Sequence, residues 1–159
     1  MVYRRALRLL GRKEDAEEAT QEVFVRVMRG LSQFDGRSSM STWLYQITTN
    51  YCLNQLRDRT RRRDLFGQNM VADEGRPEAS VTDLLLLRRL LAEADEQQAK
   101  AAIYVYLDGM SHEEAAELLG VSKRTVGNLI ERFLAWAQKR STPLLPQGEP
   151  AVGRSEVKK

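Results

Sequence analysis

The sequence predicts an all-α protein built as two small helical domains joined by a flexible linker. Three observations predict it. Apolar residues recur at helical spacing through both halves, and no stretch alternates strictly over strand length. A segment rich in helix breakers, DLFGQNMVADEGRPEASV at residues 64–81, divides the halves and carries Gly67, Gly75 and Pro77. The 159 residues suffice for one ordinary domain or two small ones, and blocks of about 60 residues are marginal unless each core is compact.

The N-terminal block covers residues 1–63. A first helix over 2–10 stops at Gly11, a second runs over 15–31, a loop follows over 32–41, and a third helix spans 42–62. The C-terminal block, 82–140, is helical throughout. The tail STPLLPQGEPAVGRSEVKK at 141–159 holds three of the four prolines, so no helix continues into it and it is expected to be mobile.

Composition narrows the function. Apolar residues make up 42% and charged residues 30%, the balance of a soluble globular chain rather than a disordered one. No apolar run approaches the about 18 residues of a membrane span, and the start MVYRRALRLLGRKEDAEE lacks the apolar core of a secretory signal. A net charge of +3 and a pI near 9.2 are compatible with an anionic partner. The lone Cys52 excludes an internal disulfide and fits a reducing cytoplasm. One His and one Cys cannot complete a Cys/His zinc site, and no phosphate loop, nucleophile elbow or His-Glu-x-x-His is present. No metal, cofactor, small-molecule substrate or catalysis is therefore expected.

The strongest local signal is DGMSHEEAAELLGVSKRTVGNLIERFLAWAQKR. Ser111 and Glu114 are spaced as a capping box, Gly120 is suited to a left-handed helix end, and Ser122 can cap a second helix after a three-residue turn. Two helices joined so tightly predict a helix-turn-helix, with Ala115, Leu118, Leu119 and Val121 as its packing positions. In the second helix Val126, Leu129, Ile130, Phe133, Leu134 and Ala137 share the apolar face. Ser122, Lys123, Arg124, Thr125, Asn128 and Arg132 stand at the N-terminal end or on the polar face, where a recognition helix meets phosphates and base edges of duplex DNA. A solvated face is the plain alternative, and Glu131 counts mildly against DNA contact.

In the N-terminal block, Ala16, Ala19, Val23, Phe24, Val27 and Leu31 form an apolar stripe, expected to face the core. The other arc carries Asp15, Glu18, Gln21, Glu22, Arg26 and Arg29 around a solitary Val25, which is either incidental or the dry centre of a protein interface. The next helix directs Leu44, Ile47, Tyr51 and Leu56 inward, with Met40 just before it. Trp43, Gln46, Asn50, Asn54 and Arg57 fall on its opposite side. An aromatic for stacking, amides for base edges and an Arg for phosphate suit single-stranded nucleic acid. The cationic run goes on through Arg59, Arg61, Arg62 and Arg63. The preceding loop, Phe34, Asp35, Gly36, Arg37, Ser38 and Ser39, offers donors and a permissive glycine to an extruded base. Burial of Trp43 in the core and a merely solvated Arg run is the competing reading.

These two blocks together resemble an extracytoplasmic-function sigma factor of the bacterial sigma-70 family. The stretch DAEEATQEVFVRVMRGLSQFDGRSSMSTWLYQITTNYCLNQLRDRTRR is similar to region 2, and YLDGMSHEEAAELLGVSKRTVGNLIERF to region 4. The resemblance implies domains at 1–63 (region 2) and 82–140 (region 4), a linker at 64–81, and a first helix shorter than the family's usual one. It implies a cytoplasmic bacterial protein that binds core RNA polymerase, reads the −35 element as duplex through region 4 and opens the −10 element through region 2. Glu18, Gln21, Glu22, Val25 and Arg26 would dock on the clamp of the largest polymerase subunit, and region 4 on the flap of the second-largest. The 34–39 loop would hold a flipped base, Trp43, Gln46, Asn50, Asn54 and Arg57 would face the −10 strand, and Lys123, Arg124, Thr125 and Asn128 the −35 duplex. An anti-sigma factor is a further implied partner. Two other readings stay open on the residues: a helix-turn-helix regulator working without polymerase, and an adaptor that holds polymerase but ignores DNA.

Overall fold

The computed structural model describes residues 1–36, 38–66 and 79–141, and among these there is no strand. Helix α1 (Val2–Leu10) ends at Gly11, whose φ of 86° is left-handed and whose N–H donates to the Leu7 carbonyl at 2.8 Å. Helix α2 (Lys13–Gly30) opens with Glu14 and Asp15, favourable charges at the positive end of the helix dipole. It passes through a 3₁₀ turn (Leu31–Gln33) into the loop before α3 (Met40–Phe66). Ser39 Oγ accepts from the Thr42 N–H at 3.0 Å and so satisfies a free donor at the start of α3.

Helix α4 spans Ala79–Glu93. Residues 64–66 thus belong to α3 and 79–81 to α4, so the expected linker is narrower at both ends. The rest of it, the tail beyond residue 141 and Arg37 lie outside the described residues. Helix α5 (Glu96–Ala102) is capped by Asp95, whose carboxylate accepts from the N–H groups of Gln97 and Gln98. It loosens into a π-turn (Ile103–Leu107). Helix α6 (His112–Leu119) starts at the expected capping box and ends at Gly120, φ 67°. Helix α7 (Lys123–Ser141) begins after the turn Gly120-Val121-Ser122, with Ser122 Oγ accepting from the Thr125 N–H at 3.1 Å.

In the N-terminal domain Ala6, Leu9, Ala16, Ala19 and Val23 pack on Cys52, Leu53 and Leu56 of α3. Small residues on α1 and α2 let the three helices approach closely. Cys52 is fully buried, which pushes its thiol up to about 12. In the C-terminal domain Leu91, Ala99, Ile103 and Tyr104 meet Ala115, Val126, Ile130 and Phe133.

The two cores abut in one continuous apolar cluster, and polar ties cross the junction. Arg5 on α1 is buried. Its guanidinium makes a two-pronged ion pair with Asp108 at 2.8 and 3.1 Å, donates to Thr49 Oγ1 at 3.0 Å and lies 3.5 Å from the Tyr45 ring centroid. Burial pushes the Tyr45 hydroxyl well above its ordinary range, and the neighbouring Asp108 adds to the shift. Arg88 on α4 donates to the carbonyls of Leu9 at 2.9 Å and Arg8 at 3.4 Å, so a side chain of one domain caps the first helix of the other.

Four residues assigned to the core by periodicity are exposed: Phe24 (50%), Leu31 (47%), Met40 (43%) and Leu134 (46%). At about 100° per residue, Phe24 and Leu31 lie on the flank of the stripe centred on Ala16, Ala19 and Val23. Only the centre of that stripe is covered by α1 and α3.

Candidate nucleic-acid interface

The face of α3 carries the row expected to meet nucleic acid, and the structure divides it. Asn50 and Asn54 are exposed. Trp43 is half-buried where α2 and α3 meet, its ring centroid 5.2 Å from that of Phe34. A Cβ placed on Gly30 would stand 3.2 Å from the indole, so the small residue ending α2 makes room for it. Gln46 and Arg57 are turned to the other domain. The Gln46 amide donates to the Leu118 carbonyl of α6 at 2.7 Å. Arg57, expected to be a free cation, has a side chain only 17% exposed, lies 3.5 Å from Glu96 and donates to the Ala94 carbonyl at 3.4 Å.

The loop before α3 holds Phe34 half-buried against Trp43, while Asp35, Gly36, Ser38 and Ser39 are exposed. Gly36 has φ 72°, a conformation that side-chain-bearing residues rarely adopt, so the expected backbone permissiveness is in use. Arg59 pairs with Asp15 at 2.5 Å, whereas Arg61, Arg62 and Arg63 are exposed at the C-terminal end of the face. A surface hollow of about 390 Å³ between α2 and α3 is lined by Arg26, Tyr51, Asn54, Gln55, Arg57, Asp58 and Arg61. Its rim is of mixed charge, with Asp58 3.9 Å from Arg61 and Arg57 3.5 Å from Glu96.

The α2 face opposite the core shows Glu18, Gln21, Glu22, Val25 and Arg26, all exposed, with the Arg26 guanidinium 4.8 Å from the Tyr51 ring. Phe24 and Met28 join Val25 in an apolar patch that sequence reasoning missed; Met28 is 73% exposed. The signal that could have found it was Met28 itself, an apolar residue outside both arcs drawn from the sequence.

On the helix-turn-helix, Lys123, Arg124, Asn128 and Arg132 are exposed along α7. Three of the expected DNA contacts, Ser122, Lys123 and Thr125, have structural duties. The Ser122 hydroxyl caps the helix and shares a 2.8 Å hydrogen bond with that of Thr125. Lys123 Nζ donates to a Glu113 carboxylate oxygen on α6, and that pairing holds the Glu113 carboxyl below its ordinary value. Arg124, Asn128 and Arg132 are left as the outward polar set. Among the described residues no cluster of His, Cys, Asp and Glu could hold a metal ion, and no helix is long and apolar enough to cross a membrane.

A capped helix-turn-helix stands in one domain and a long helix with two exposed asparagines in the other, and known proteins match both domains. Sigma-70 region 2 matches residues 1–62 and Sigma-70, region 4 matches residues 84–135. The ECF RNA polymerase sigma factor SigE of Mycolicibacterium smegmatis is 36% identical over 138 residues, covering 82% of this chain and 53% of SigE. The ECF RNA polymerase sigma factor SigW of Bacillus subtilis is 28% identical over 146 residues, covering 82% of this chain and 78% of SigW. The RNA polymerase sigma factor YlaC of the same species is 30% identical over 141 residues, covering 81% of this chain and 79% of YlaC. Two solved structures share the fold. The sigma factor RpoE of Bartonella quintana, in complex with the anti-sigma factor NepR, gives a TM-score of 0.51 at 24% identity, covering 87% of this chain and 88% of RpoE. CnrH, in complex with the cytosolic domain of CnrY, gives 0.52 at 24% identity, covering 87% and 79%. The chain belongs to the sigma-70 family and is of the extracytoplasmic-function type. Proteins of this kind are transcription initiation factors, not enzymes.

Proposed function

We propose that this chain binds core RNA polymerase in the bacterial cytoplasm and directs it to promoters, reading the −35 element with α7 and opening the −10 element with the exposed face of α3. One observation carries the reading: Trp43, Asn50 and Asn54 lie along a single helix in one domain, while a capped helix-turn-helix presents Arg124 and Asn128 from another. Stacking and amide pairing suit unpaired bases, and a helix N-terminus with cations suits a duplex groove. Phe34 to Ser39 is the loop for an extruded base, with Gln46 and Arg57 joining the single-strand reader once the domains part.

Glu18, Gln21, Glu22, Val25 and Arg26, with the apolar Phe24 and Met28 beside them, form the docking face for the polymerase clamp. A dry centre with a polar rim is the ordinary anatomy of such a contact. Region 4, near residues 82–140, meets the flap, and an anti-sigma factor is the expected antagonist, as NepR is for the RpoE relative.

Run-off transcription with purified chain and core polymerase on a promoter library tests this. Specific transcripts are expected, and Trp43→Ala with Asn50→Ala together abolishes opening while leaving core binding intact. No specific transcript from any promoter, or unaltered opening by the double variant, overturns it. A fixed dimer on palindromic duplex without polymerase would instead mark a free-standing regulator.

A further inference from the structure

We propose that Glu131 is a specificity-determining residue of the helix-turn-helix, its carboxylate accepting a hydrogen bond from the amino group of one cytosine in the upstream promoter element. The inference deepens the proposed reading of α7 and rests on it. An acid on a DNA-reading helix is repelled by every phosphate, so it weakens binding unless it meets a donor. Nothing in the fold employs Glu131. It is exposed, and among the described residues its carboxylate has no ion pair and no hydrogen bond. The positions one turn away are Gly127, Asn128, Leu134 and Ala135; none is basic, so no ion pair along the helix can form. It stands well past the first turn of α7, beyond the pull of the helix dipole. Other acids of the same domain have structural partners. Glu113 pairs with Lys123, Glu114 closes the capping box, and Glu93 meets Arg89 and Arg140.

The place of Glu131 on the helix matches that of a base reader. Recognition helices of the homeodomain type read base edges from positions spaced i, i+3, i+4 and i+7. Counted from Arg124, those positions are Gly127, Asn128 and Glu131. At about 100° per residue, Arg124, Asn128 and Glu131 share one narrow arc opposite the buried Val126, Ile130 and Phe133. They span about 10 Å of helix, close to three base-pair steps of about 3.4 Å. The flanking residues are small. Gly127 has open space around it, and the exposed Ala135 ends in a methyl group, so a short carboxylate between them can reach a base edge. The major groove offers only two kinds of amino donor, on cytosine and on adenine. The adenine amino group lies between two acceptors, its own N7 and the O4 of the paired thymine, which oppose a carboxylate. The cytosine amino group has an acceptor on one side only, the O6 of guanine.

The experiment selects bound sequences from DNA randomised across the upstream element, in two arms: the full chain with core polymerase on a promoter library, and the full chain alone on duplexes. The wild type is expected to favour cytosine at one fixed position by about tenfold. Glu131→Ala is expected to reduce that preference to less than about twofold and leave the other positions as they are. Glu131→Gln is expected to move it to adenine, because an amide can donate to N7 and accept from the amino group together. Both variants should melt at the wild-type temperature, since the side chain supports nothing in the fold. Identical base preferences in the wild type and Glu131→Ala, or a loss spread evenly over all positions, overturns the assignment. Cytosine selected by the chain alone, with no transcript in the polymerase arm, counts against the promoter-reading proposal and leaves the Glu131 assignment standing. No selected sequence in either arm overturns both.

Discussion

Gly127 sits inside α7, on the helix expected to enter the groove, and Gly127→Ala separates folding from DNA contact with a single methyl group. A Cβ built at this position meets nothing within 4 Å, and the backbone there is not left-handed. The substitution therefore carries no steric cost, and alanine gains about 0.8–1.0 kcal/mol over glycine in a helix interior. For a chain of 159 residues that gain corresponds to a rise in Tm of about 2–4 °C. Far-ultraviolet thermal melts measure it directly. Glycine on a recognition helix also lets the backbone come close to the duplex, so the same methyl is expected to weaken the holoenzyme's hold on promoters selected by the wild-type protein. Stability up and promoter affinity down is the predicted pair of signs. A lower Tm would refute the open space at residue 127. An unchanged promoter affinity would place the backbone clear of the DNA and leave Arg124 and Asn128 to carry the contact.

Two further predictions concern stability. Gly11→Ala forces a side chain into φ 86° and puts a Cβ 2.4 Å from the Arg88 Cζ, so both the turn and the Arg88 cap on α1 suffer. A loss of about 1–3 kcal/mol is expected in urea unfolding, shrinking when Arg88→Ala is already present. Glu93 lies between Arg89 and Arg140; burial raises its carboxyl, but the hydrogen bonds from the two arginines outweigh that and leave it below its ordinary value. A depressed carboxylate stabilises the fold above its unfolded value and loses that contribution as pH falls through the folded one. Glu93→Gln should thus cost about 1 kcal/mol at neutral pH, since both arginines are half-exposed and screened, and should match the wild type once the pH is well below about 4. A constant difference across the acid range would refute the assignment.

Local chemistry was the legible part of the sequence. The Ser111–Glu114 box, Gly120, Ser122 and the Gly11 stop each need only a few neighbouring residues, and each lies where expected. The three helices of the N-terminal domain were legible for the same reason, with ends shifted by a few residues. What depended on distant partners was not. Arg5 reads as a surface cation until Asp108 is beside it. Gln46 and Arg57 do fall on the face of α3 that periodicity gave them, but periodicity cannot say that another domain covers part of that face. Phe24 and Leu31 failed for a related reason: an apolar arc can be wider than the surface its neighbours cover. The π-turn is a fault in an otherwise regular helix, and its sequence, Ile103 to Leu107, carries no breaker to announce it.

The sealed position of Cys52 bears on which chemical signals this protein can sense by itself. It is the chain's sole sulfhydryl, it has no solvent contact, and its proton is held far too tightly for a nucleophilic thiolate to form at neutral pH. Peroxides and electrophiles therefore find no target among the cysteines of the folded chain, and an oxidative cue acting through thiol chemistry has to be sensed by another molecule. The same shielding lets thiol-reactive probes be placed elsewhere on the protein with the native sulfur left unaltered.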